Sequence, residues 1–444
     1  MANNPVANMF KVKELRDRML FTLFILAIFR LGSVLTIPGI DASLLLQYFS
    51  SLASGAESAF ASYMDFFAGG AFERFSVFML GVMPYISTQI IMQLALVIFP
   101  SLKKIAQEEG GQQRVAWWTR IGTIFVCLIQ SYALTVYADA INQQVPGAIA
   151  IDSKVYFDIL AVLTVTTGSM VTVWLGDQIT AHGIGNGISM LIFAGIVARI
   201  PSAVYELGKS VSNGDINIVF VIVALLMYVV IIGLVVYEQS GERKIAVHYA
   251  KRVVGRRMYG GQSTYIPFKI NPSGVIPIIF ASAFLTFPLQ IANSFSNRAT
   301  WLMKVSAALN PLGLWYNVIQ VLLIIFFAYF YTQVTLNPTE IAKNIRENGG
   351  SIPGIRTDKT EEYLQRVLNR LILPGSLYLA VIAVLPTVIQ IIFKFPASIA
   401  MLMGGTSLLI LVGVDLDTMS QVEALLKMHH HDGFTKKGIR PRSL

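Results

Sequence analysis

This sequence carries little charge and almost no cysteine. Of its 444 residues, 13% are charged and 55% are hydrophobic, whereas a soluble domain has about 25% charged residues. So few charged side chains cannot cover the apolar surface of the chain in water, and we therefore expect lipid to surround it. Its one cysteine, Cys127, excludes a disulfide framework and a cysteine metal site.

The sequence also lacks the motifs of common enzyme classes. It contains no G-x-x-x-x-G-K-[ST] phosphate loop, no H-E-x-x-H zinc motif and no G-x-S-x-G nucleophile motif. The apolar stretches carry no paired acidic residues of the kind that couple transport to protons or sodium. We therefore expect neither catalysis nor a cofactor or metal, and the pattern favours a passive conduit whose motor lies in another protein.

Apolar stretches of about 20 residues, long enough to cross a bilayer, recur along the chain. They predict an all-α polytopic membrane protein with ten transmembrane helices. Arg30 is the clearest charge within a span, and we expect it to reach the membrane surface or to pair inside the bundle. Pro277 and Pro386 should interrupt the seventh and ninth spans. The predicted spans are 19–38, 75–99, 117–138, 156–175, 183–203, 216–238, 272–293, 312–335, 370–393 and 397–415.

Two short strings at equivalent places divide the spans into two sets of five. Gly81-Val82-Met83-Pro84 lies in the second span, and Gly274-Val275-Ile276-Pro277 lies in the seventh. Matching glycine and proline interruptions in two halves are typical of inverted-repeat membrane proteins and indicate the path through the bilayer. We therefore predict pseudo-symmetric halves at 1–210 and 211–420, followed by a tail at 421–444.

Lysine and arginine are concentrated in segments that ten spans would place on one side of the membrane. The N-terminus, the loops near 100–120, 239–271 and 336–370, and the tail hold most of the 34 Lys and Arg residues. Because cytoplasmic loops are rich in these residues, both termini are predicted to be cytoplasmic. The loop 239–271 either only retains this orientation or also binds an anionic partner, such as ribosomal RNA or an acidic protein surface.

The segment 39–73, on the opposite side, is too polar to cross lipid and unusually apolar for a loop. Asp65 and Glu73 are among its acidic residues, and Gly69-Gly70 forms a flexible break. It is either a short helix that folds back into the protein as a movable stopper, or an interfacial loop lying on the membrane. Its apolar residues include Phe60, Tyr63, Met64, Phe66 and Phe67.

Branched aliphatic residues recur at helical spacing near the interrupted spans. Val82 and Ile86 are four residues apart, as are Ile188 and Ile192, and Ile279 follows the second glycine break. A ring of such residues could exclude water and ions by dewetting and still yield to a passing chain. Ordinary helix packing produces the same spacing, so the pattern alone leaves both interpretations open.

Several ordered strings resemble the SecY family, which supplies the central subunit of the bacterial protein-translocation channel. The resemblance extends over nearly the whole chain, and it implies two five-span halves that close as a clamshell around an hourglass pore. It also implies a channel in the plasma (inner) membrane that translocates unfolded secretory polypeptides and releases transmembrane segments laterally. The matching strings include Gly185-Asn186-Gly187-Ile188-Ser189, Tyr249-Ala250-Lys251-Arg252, Pro353-Gly354-Ile355-Arg356 and Gly404-Gly405-Thr406-Ser407.

The resemblance also implies roles for individual residues. The pore ring would be Val82, Ile86, Ile188, Ile192, Ile279 and Ile410. The plug would lie within about 57–73 and include Phe60, Tyr63, Met64, Phe66, Phe67, Gly69 and Gly70. The lateral gate between spans two and seven would include Pro84, Ile91, Pro277 and Ile278. The surface that binds SecA or the ribosome would include Lys251, Arg252, Arg256, Arg257 and Arg356.

The partners implied by the resemblance are proteins, nascent chains and lipids. They are the small membrane subunits SecE and SecG, the SecA ATPase, the ribosome through its RNA, signal peptides and nascent chains, and membrane lipids. An inverted-repeat secondary transporter is the alternative function. It would need a polar substrate or ion site at the middle of the membrane, whereas the interrupted spans offer mainly apolar side chains.

Overall fold

The computed structural model describes residues 12–51, 61, 64–65, 68–151, 153–214, 217–249, 252–254, 257–259, 263–295, 300–311, 313–393 and 404–435. Within these residues the chain is mainly helical, with two small antiparallel sheets. Long apolar stretches form helices because a helix satisfies its own backbone hydrogen bonds where lipid offers none.

The helices of the first half follow one another with short connections, except that residues 52–82 separate the second helix from the third. Their bounds are α1 Lys13–Gly32, α2 Ala42–Ser51, α3 Met83–Ile98, α4 Pro100–Gln107, α5 Gly111–Gln144, α6 Lys154–His182 and α7 Gly187–Ser212. The axes of α3 and α4 differ in direction by 104°. Pro100 is the first residue of α4, a position that proline tolerates because the amide it lacks would have no helical partner there.

The second half contains both helices and strands. Its elements are α8 Ile218–Ser240, β1 Glu242–Tyr249, β2 Arg252–Val254, β3 Arg257–Tyr259, β4 Ser263–Lys269, α9 Ile276–Ser294, α10 Thr300–Ala308, α11 Leu314–Thr335, α12 Pro338–Glu347, β5 Gly350–Ser351, α13 Thr360–Phe393 and α14 Gly405–Thr435. Each predicted span overlaps one of the described helices, although α3 has only 16 residues and 397–403 of the tenth span lie outside the described residues.

Seven helical stretches within the described residues are long and apolar enough to cross a membrane, and the bent pair α3–α4 would raise that number to eight. The most apolar is α8. An 18-residue stretch of it has a mean hydropathy of 3.3, and few residues of that stretch are buried. A helix that is apolar all round and yet exposed in the isolated chain fits a lipid environment.

Helix α13 corrects the prediction that Pro386 interrupts the ninth span. The backbone is helical from Thr360 to Phe393, and it passes through Pro386 without a break. Neighbouring helices can satisfy the carbonyl that a proline leaves free in a transmembrane helix, so the residue is tolerated there.

A central apolar core joins the two halves. Helices α3, α5, α6 and α7 pack successively in the first half, as α9, α11 and α13 do in the second. Helix α9 also contacts α3 and α5, and α7 contacts α14. Buried side chains from all of these helices belong to one cluster. The contact of α9 with α3 and α5 is called the seam below.

The two long loops after α8 and α11 fold together into one small unit. Strand β1 pairs with β4 from Glu242 opposite Lys269 to His248 opposite Ser263, and β5 pairs with the other edge of β1. Ile245 and Val247 alternate with exposed residues along β1, as expected for a half-buried strand. They pack against α12 and the start of α13.

Candidate functional site

The two glycine-proline strings have the same backbone geometry. Gly81 and Gly274 both adopt left-handed conformations, with φ of 54° and 59°. Val82 and Val275 follow as helix N-caps with φ of −94° and −89°, and a proline occupies the first turn of each helix. Glycine is needed because this conformation costs other residues about 1–2 kcal/mol. The repeat seen in the sequence is therefore a repeat of structure.

The helices that begin at these breaks, α3 and α9, contact each other at the seam. A buried hydrogen bond also crosses the seam, from Nε2 of Gln290 on α9 to the main-chain oxygen of Gln130 on α5, at 3.2 Å. The exposed fractions of these side chains are only 1% and 2%. The sequence reasoning missed this pair, although a glutamine within an apolar span is a signal for an internal polar contact.

The residues predicted to form the pore ring all belong to the central core. Val82, Ile86, Ile192 and Ile410 are buried, and Ile188 and Ile279 are partly buried and pack against the same cluster. They come from α3, α7, α9 and α14, with Val82 at the cap of α3. The structure thus places the six side chains in a common apolar region, and their role as a ring remains a prediction.

The residues predicted to form the lateral gate divide into two groups. Pro84, Pro277 and Ile278 are buried at the starts of α3 and α9. Ile91 is 59% exposed and lies on the outer surface of α3. Its burial pattern differs from that of Ile86 and Ile90 because a step of five residues rotates the side chain away from the buried face.

The segment before α3 folds back into the protein instead of lying on its surface. In its described residues 61, 64–65 and 68–75, which we call the re-entrant segment, Met64, Asp65, Ala71 and Phe72 are at most 8% exposed. Backbone bonds from Ile37 to Phe75 and from Val77 to Leu35 fix its end beside α1. Phe60, Tyr63, Phe66 and Phe67 lie outside the described residues, and Gly69 and Gly70 both have positive φ.

A buried ion pair lies between this segment and α7. Arg199 pairs with Asp65, whose side chain has no exposed surface, and it also contacts Glu73 with 3.4 Å between Nη2 and Oε1. The other carboxylate oxygen of Asp65 accepts hydrogen bonds from the amides of Phe72 and Glu73, at 2.9 and 3.2 Å. Asp65 therefore closes the turn of the segment and also ties it to α7.

Two further contacts bring the segment against the helices. Arg30 donates from Nη1 to the carbonyl of Gly69 at 2.6 Å, which confirms that this arginine pairs inside the bundle. A Cβ atom on Gly69 would lie 2.6 Å from the Cα of Gly195, so the backbone of the segment touches the backbone of α7. Only glycine permits such an approach at this positive φ.

The surroundings of Glu73 change the pKa of its carboxyl group. Burial raises the pKa of Glu73 from its ordinary value of 4.5 to about 7, nearby Glu206 adds to the rise, and Arg74 opposes it. The carboxyl group therefore changes its protonation near neutral pH. Among the described residues, no group of three or more His, Cys, Asp or Glu is arranged to hold a metal ion.

A cavity of about 730 Å³ opens at the end of α3 that is remote from the break. It lies between α3, α4, α5, α11 and α12, of which α3 and α5 also form the seam, and both polar and apolar side chains line it. The sequence contained a signal for this cavity, since glutamines such as Gln89 reduce the apolar character of the second predicted span. The glutamines that line the cavity are Gln89, Gln93, Gln107, Gln112 and Gln333.

The predicted basic surface is described only in part. Arg356 is exposed in the turn after β5. Arg252 and Arg257 lie on the paired strands β2 and β3, where Val254 is opposite Arg257. Lys251 and Arg256 lie outside the described residues. The two loops that carry these arginines are joined through the sheet, because β5 pairs with β1.

Comparison with known proteins identifies the family. A family model for SecY matches residues 76–419. The protein translocase subunit SecY of Borreliella burgdorferi is 43% identical over 432 residues, which cover 97% of each chain. This chain belongs to the SecY family. The residues that the family model matches include both glycine breaks, the seam and the sheet, and they begin just after the re-entrant segment.

Solved structures share the fold of this SecY chain at lower sequence identity. A structure of a protein conducting channel has a TM-score of 0.64 and 17% identity, with 92% of both chains covered. A second, with a TM-score of 0.61, 18% identity and 92% of both chains covered, is described as a SecY protein whose plug domain stabilises the closed state of the translocation channel and maintains a membrane seal. At these identities the likeness establishes the fold.

Proposed function

We propose that this SecY chain is a protein-conducting channel subunit of the bacterial plasma membrane. It translocates unfolded secretory polypeptides and releases transmembrane segments sideways into the bilayer. The observation that carries this proposal is the pair of equivalent breaks, Gly81–Pro84 and Gly274–Pro277, at the starts of two helices that meet at one seam. The translocase subunits among its relatives support the channel function and not the alternative of a secondary transporter.

The topology that we propose has ten crossings in two halves, 1–210 and 211–420, with both termini in the cytoplasm. The helices that are long and apolar enough to cross a membrane support most of these crossings. Helices α1 and α14 complete the number, with the charged residues at the start of α1 near the membrane surface and Arg30 paired inside the bundle. The sheet and the basic loops would then lie in the cytoplasm, as the distribution of lysine and arginine requires.

In this channel, Val82, Ile86, Ile188, Ile192, Ile279 and Ile410 form the apolar constriction. Their shared position in the central core and their origin on four helices support this role. Branched aliphatic side chains exclude water from a narrow passage and offer no ligand to an ion. They can also move apart for a peptide, because no hydrogen bond has to break between them.

The re-entrant segment acts as the plug of the channel. Its burial in the same core and its two glycines support this role, as does the function described for the plug domain of the related SecY structure. A seated segment fills the space that a translocating chain would need. Opening therefore requires the segment to leave this position, and Gly69 and Gly70 provide the backbone freedom for that movement.

The seam between α9 and the pair α3 and α5 serves as the lateral gate. A leucine at the centre of a helix favours lipid by about 0.3–0.6 kcal/mol, and a charged residue disfavours it by about 2.5–3.5 kcal/mol. One or two charges can therefore change the fate of a segment from release to translocation. The cavity beside the seam is a site at which a signal peptide could enter from the cytoplasmic side.

Cytoplasmic partners supply the driving force. The sheet carries exposed cations, including Arg356, which suit the SecA ATPase or ribosomal RNA. SecE and SecG would be the small membrane subunits of the complex, and the long apolar face of α8 requires lipid or a membrane partner. The channel itself uses no cofactor in this proposal.

Reconstitution tests the proposal directly. Proteoliposomes that contain this chain with its small subunits, supplied with SecA and ATP, should protect a signal-bearing precursor from external protease. The same precursor without its signal should remain accessible. Absence of protection for both precursors, with uptake of a small solute by the chain alone, would contradict the channel function and favour the transporter.

A further inference from the structure

One stripe of α7 faces both the constriction and the re-entrant segment. Ile188, Ile192, Gly195 and Arg199 are separated by four, three and four residues, which places them on one face of the helix. Gly195 is in backbone contact with Gly69, and Arg199 is paired with Asp65. The apolar part of the stripe therefore lines the proposed constriction, and its charged end holds the proposed plug.

The pair has an energetic asymmetry that makes it suitable for holding the segment. The Asp65 side chain has no exposed surface, and 16% of the Arg199 side chain is exposed. A buried carboxylate without a counter-charge is strongly unfavourable, whereas removing both members of a buried pair costs far less than removing one. An ionised Asp65 can therefore stay in the core only while Arg199 is opposite it, and water must reach it when the segment leaves.

Resting on the proposed function, we propose that Arg199 is a latch that holds the plug in its closed position by pairing with Asp65. Arg199 acts as a positioning residue, because it holds the segment and is not required to touch the translocating chain. Arg30 supports the same position through the carbonyl of Gly69. The latch adds an ionic contact to a seal that otherwise depends on apolar packing.

The test compares variants in which one or both charged side chains of the pair are replaced by uncharged amides, in purified and reconstituted channels. Arg199→Gln leaves Asp65 buried without its partner, and we expect the resting ion conductance in planar bilayers to rise about tenfold. Asp65→Asn retains an oxygen that can accept from the amides of Phe72 and Glu73, so its effect should be smaller. The double variant should leak less than Arg199→Gln alone, since it no longer contains an unpaired buried carboxylate.

Two further variants serve as controls. Lys209→Gln removes an exposed positive charge from the same helix and should leave the conductance unchanged. Arg199→Lys keeps the charge and should restore most of the seal. Ala68→Cys places a thiol on the buried re-entrant segment, and its labelling by a water-soluble reagent should become faster when Arg199→Gln is added.

The native Cys127 separates movement of the plug from loss of the fold. This thiol is completely buried on α5, so it should stay unlabelled while the introduced thiol reacts. If Cys127 also reacts in Arg199→Gln, that variant is misfolded, and Asp65→Asn decides: raised conductance supports the latch, and unchanged conductance overturns it.

The latch and the channel function can fail separately in these experiments. Wild-type protein that fails to translocate a precursor contradicts the proposed function, whatever the variants do. Wild-type protein that translocates normally, together with Arg199→Gln and Asp65→Asn that match it in conductance and labelling, overturns the latch alone. An Arg199→Gln effect that the double variant exceeds would also contradict the ionic mechanism.

Discussion

The two breaks have the same backbone conformation, but the structures that precede them in the chain are different. The first, at Gly81, follows the buried re-entrant segment, in which Asp65 accepts hydrogen bonds from two amides and pairs with Arg199. The second, at Gly274, comes shortly after β4, and its turn is closed by Asn271, whose Nδ2 donates to the carbonyl of Gly274 at 3.0 Å. The turn before the first break is held by the charged side chain of Asp65, and the turn at the second break is held by the neutral amide of Asn271.

The two helices of the seam therefore continue into different parts of the molecule. Helix α3 is joined to the proposed plug, and α9 is joined to the sheet that carries the basic surface. The amide of Ile270 donates to the carbonyl of Gly241 at 2.9 Å, which extends the pairing of β1 with β4 by one residue toward α9. Binding of a cytoplasmic partner would therefore act first on α9, and a two-state gate would transmit the effect to the plug.

The largest effect should come from removing one bulky side chain beside each break. The double variant Ile86→Ala and Ile279→Ala should raise the resting conductance more than either single variant, because both side chains contribute to the same constriction. Replacing the buried Ile86 also costs about 2–5 kcal/mol of stability, and replacing the partly buried Ile279 costs less. Single-channel recording checks the conductance, and Ile91→Ala, at an exposed position of α3, is the matched control. Equal conductance in all of these channels would argue against the constriction.

A charge introduced into the second turn should destabilise the fold without releasing the plug. Asn271→Asp removes the donor to Gly274 in a site that is 2% exposed, and we expect a loss of about 3 kcal/mol. Thermal unfolding measures this loss, and labelling of a thiol at position 68 measures the plug. Rapid labelling of that thiol would show that the two turns are not separate in function.

Reversing a charge on the sheet should affect driven export and leave the seal intact. Arg356→Glu should slow SecA-dependent export about three- to tenfold, because a repelled partner associates more slowly. Lys343→Glu, on the same side of the molecule, is the control for charge alone. Export at the wild-type rate in Arg356→Glu would remove this residue from the partner surface.

The smallest effect concerns pH and is limited to the first break. Because burial raises the pKa of Glu73 to about 7, the closed state binds a proton that a solvated Glu73, with a pKa near 4.5, would not bind. Closure is therefore favoured as the pH falls through about 7 and loses this contribution above it. Resting conductance should be lower at pH 6 than at pH 8, and Glu73→Gln should flatten the difference. A profile unchanged by Glu73→Gln would assign the pH dependence to other groups.

Local features of the site could be predicted from the sequence. The breaks at Gly81 and Gly274 depend on the conformational freedom of one glycine and the position of one proline, so four residues were sufficient to indicate them. The positions of the long helices could also be predicted, because hydropathy depends only on residues that are consecutive in the sequence. The continuity of α13 through Pro386 could not be predicted, because a proline by itself favours an interruption.

Long-range pairs were the part that sequence reasoning missed. Asp65 and Glu73 were recognised as polar residues in an apolar segment, but Arg199 lies more than a hundred residues away in another helix. The pairing of Gln290 with the backbone of Gln130 is equally distant in sequence. One sequence shows that a buried polar group needs a partner, but the partner is identified only when the helices are packed.

The central claim is that the seam must part for a signal-bearing chain to pass. Cysteines in place of Gln130 and Gln290, in a Cys127→Ser background, can be joined by a short reducible cross-linker, since the two residues lie in hydrogen-bond contact. We predict that the joined channel no longer translocates a signal-bearing precursor and that reduction restores translocation. Export at full rate through the joined channel would contradict the account.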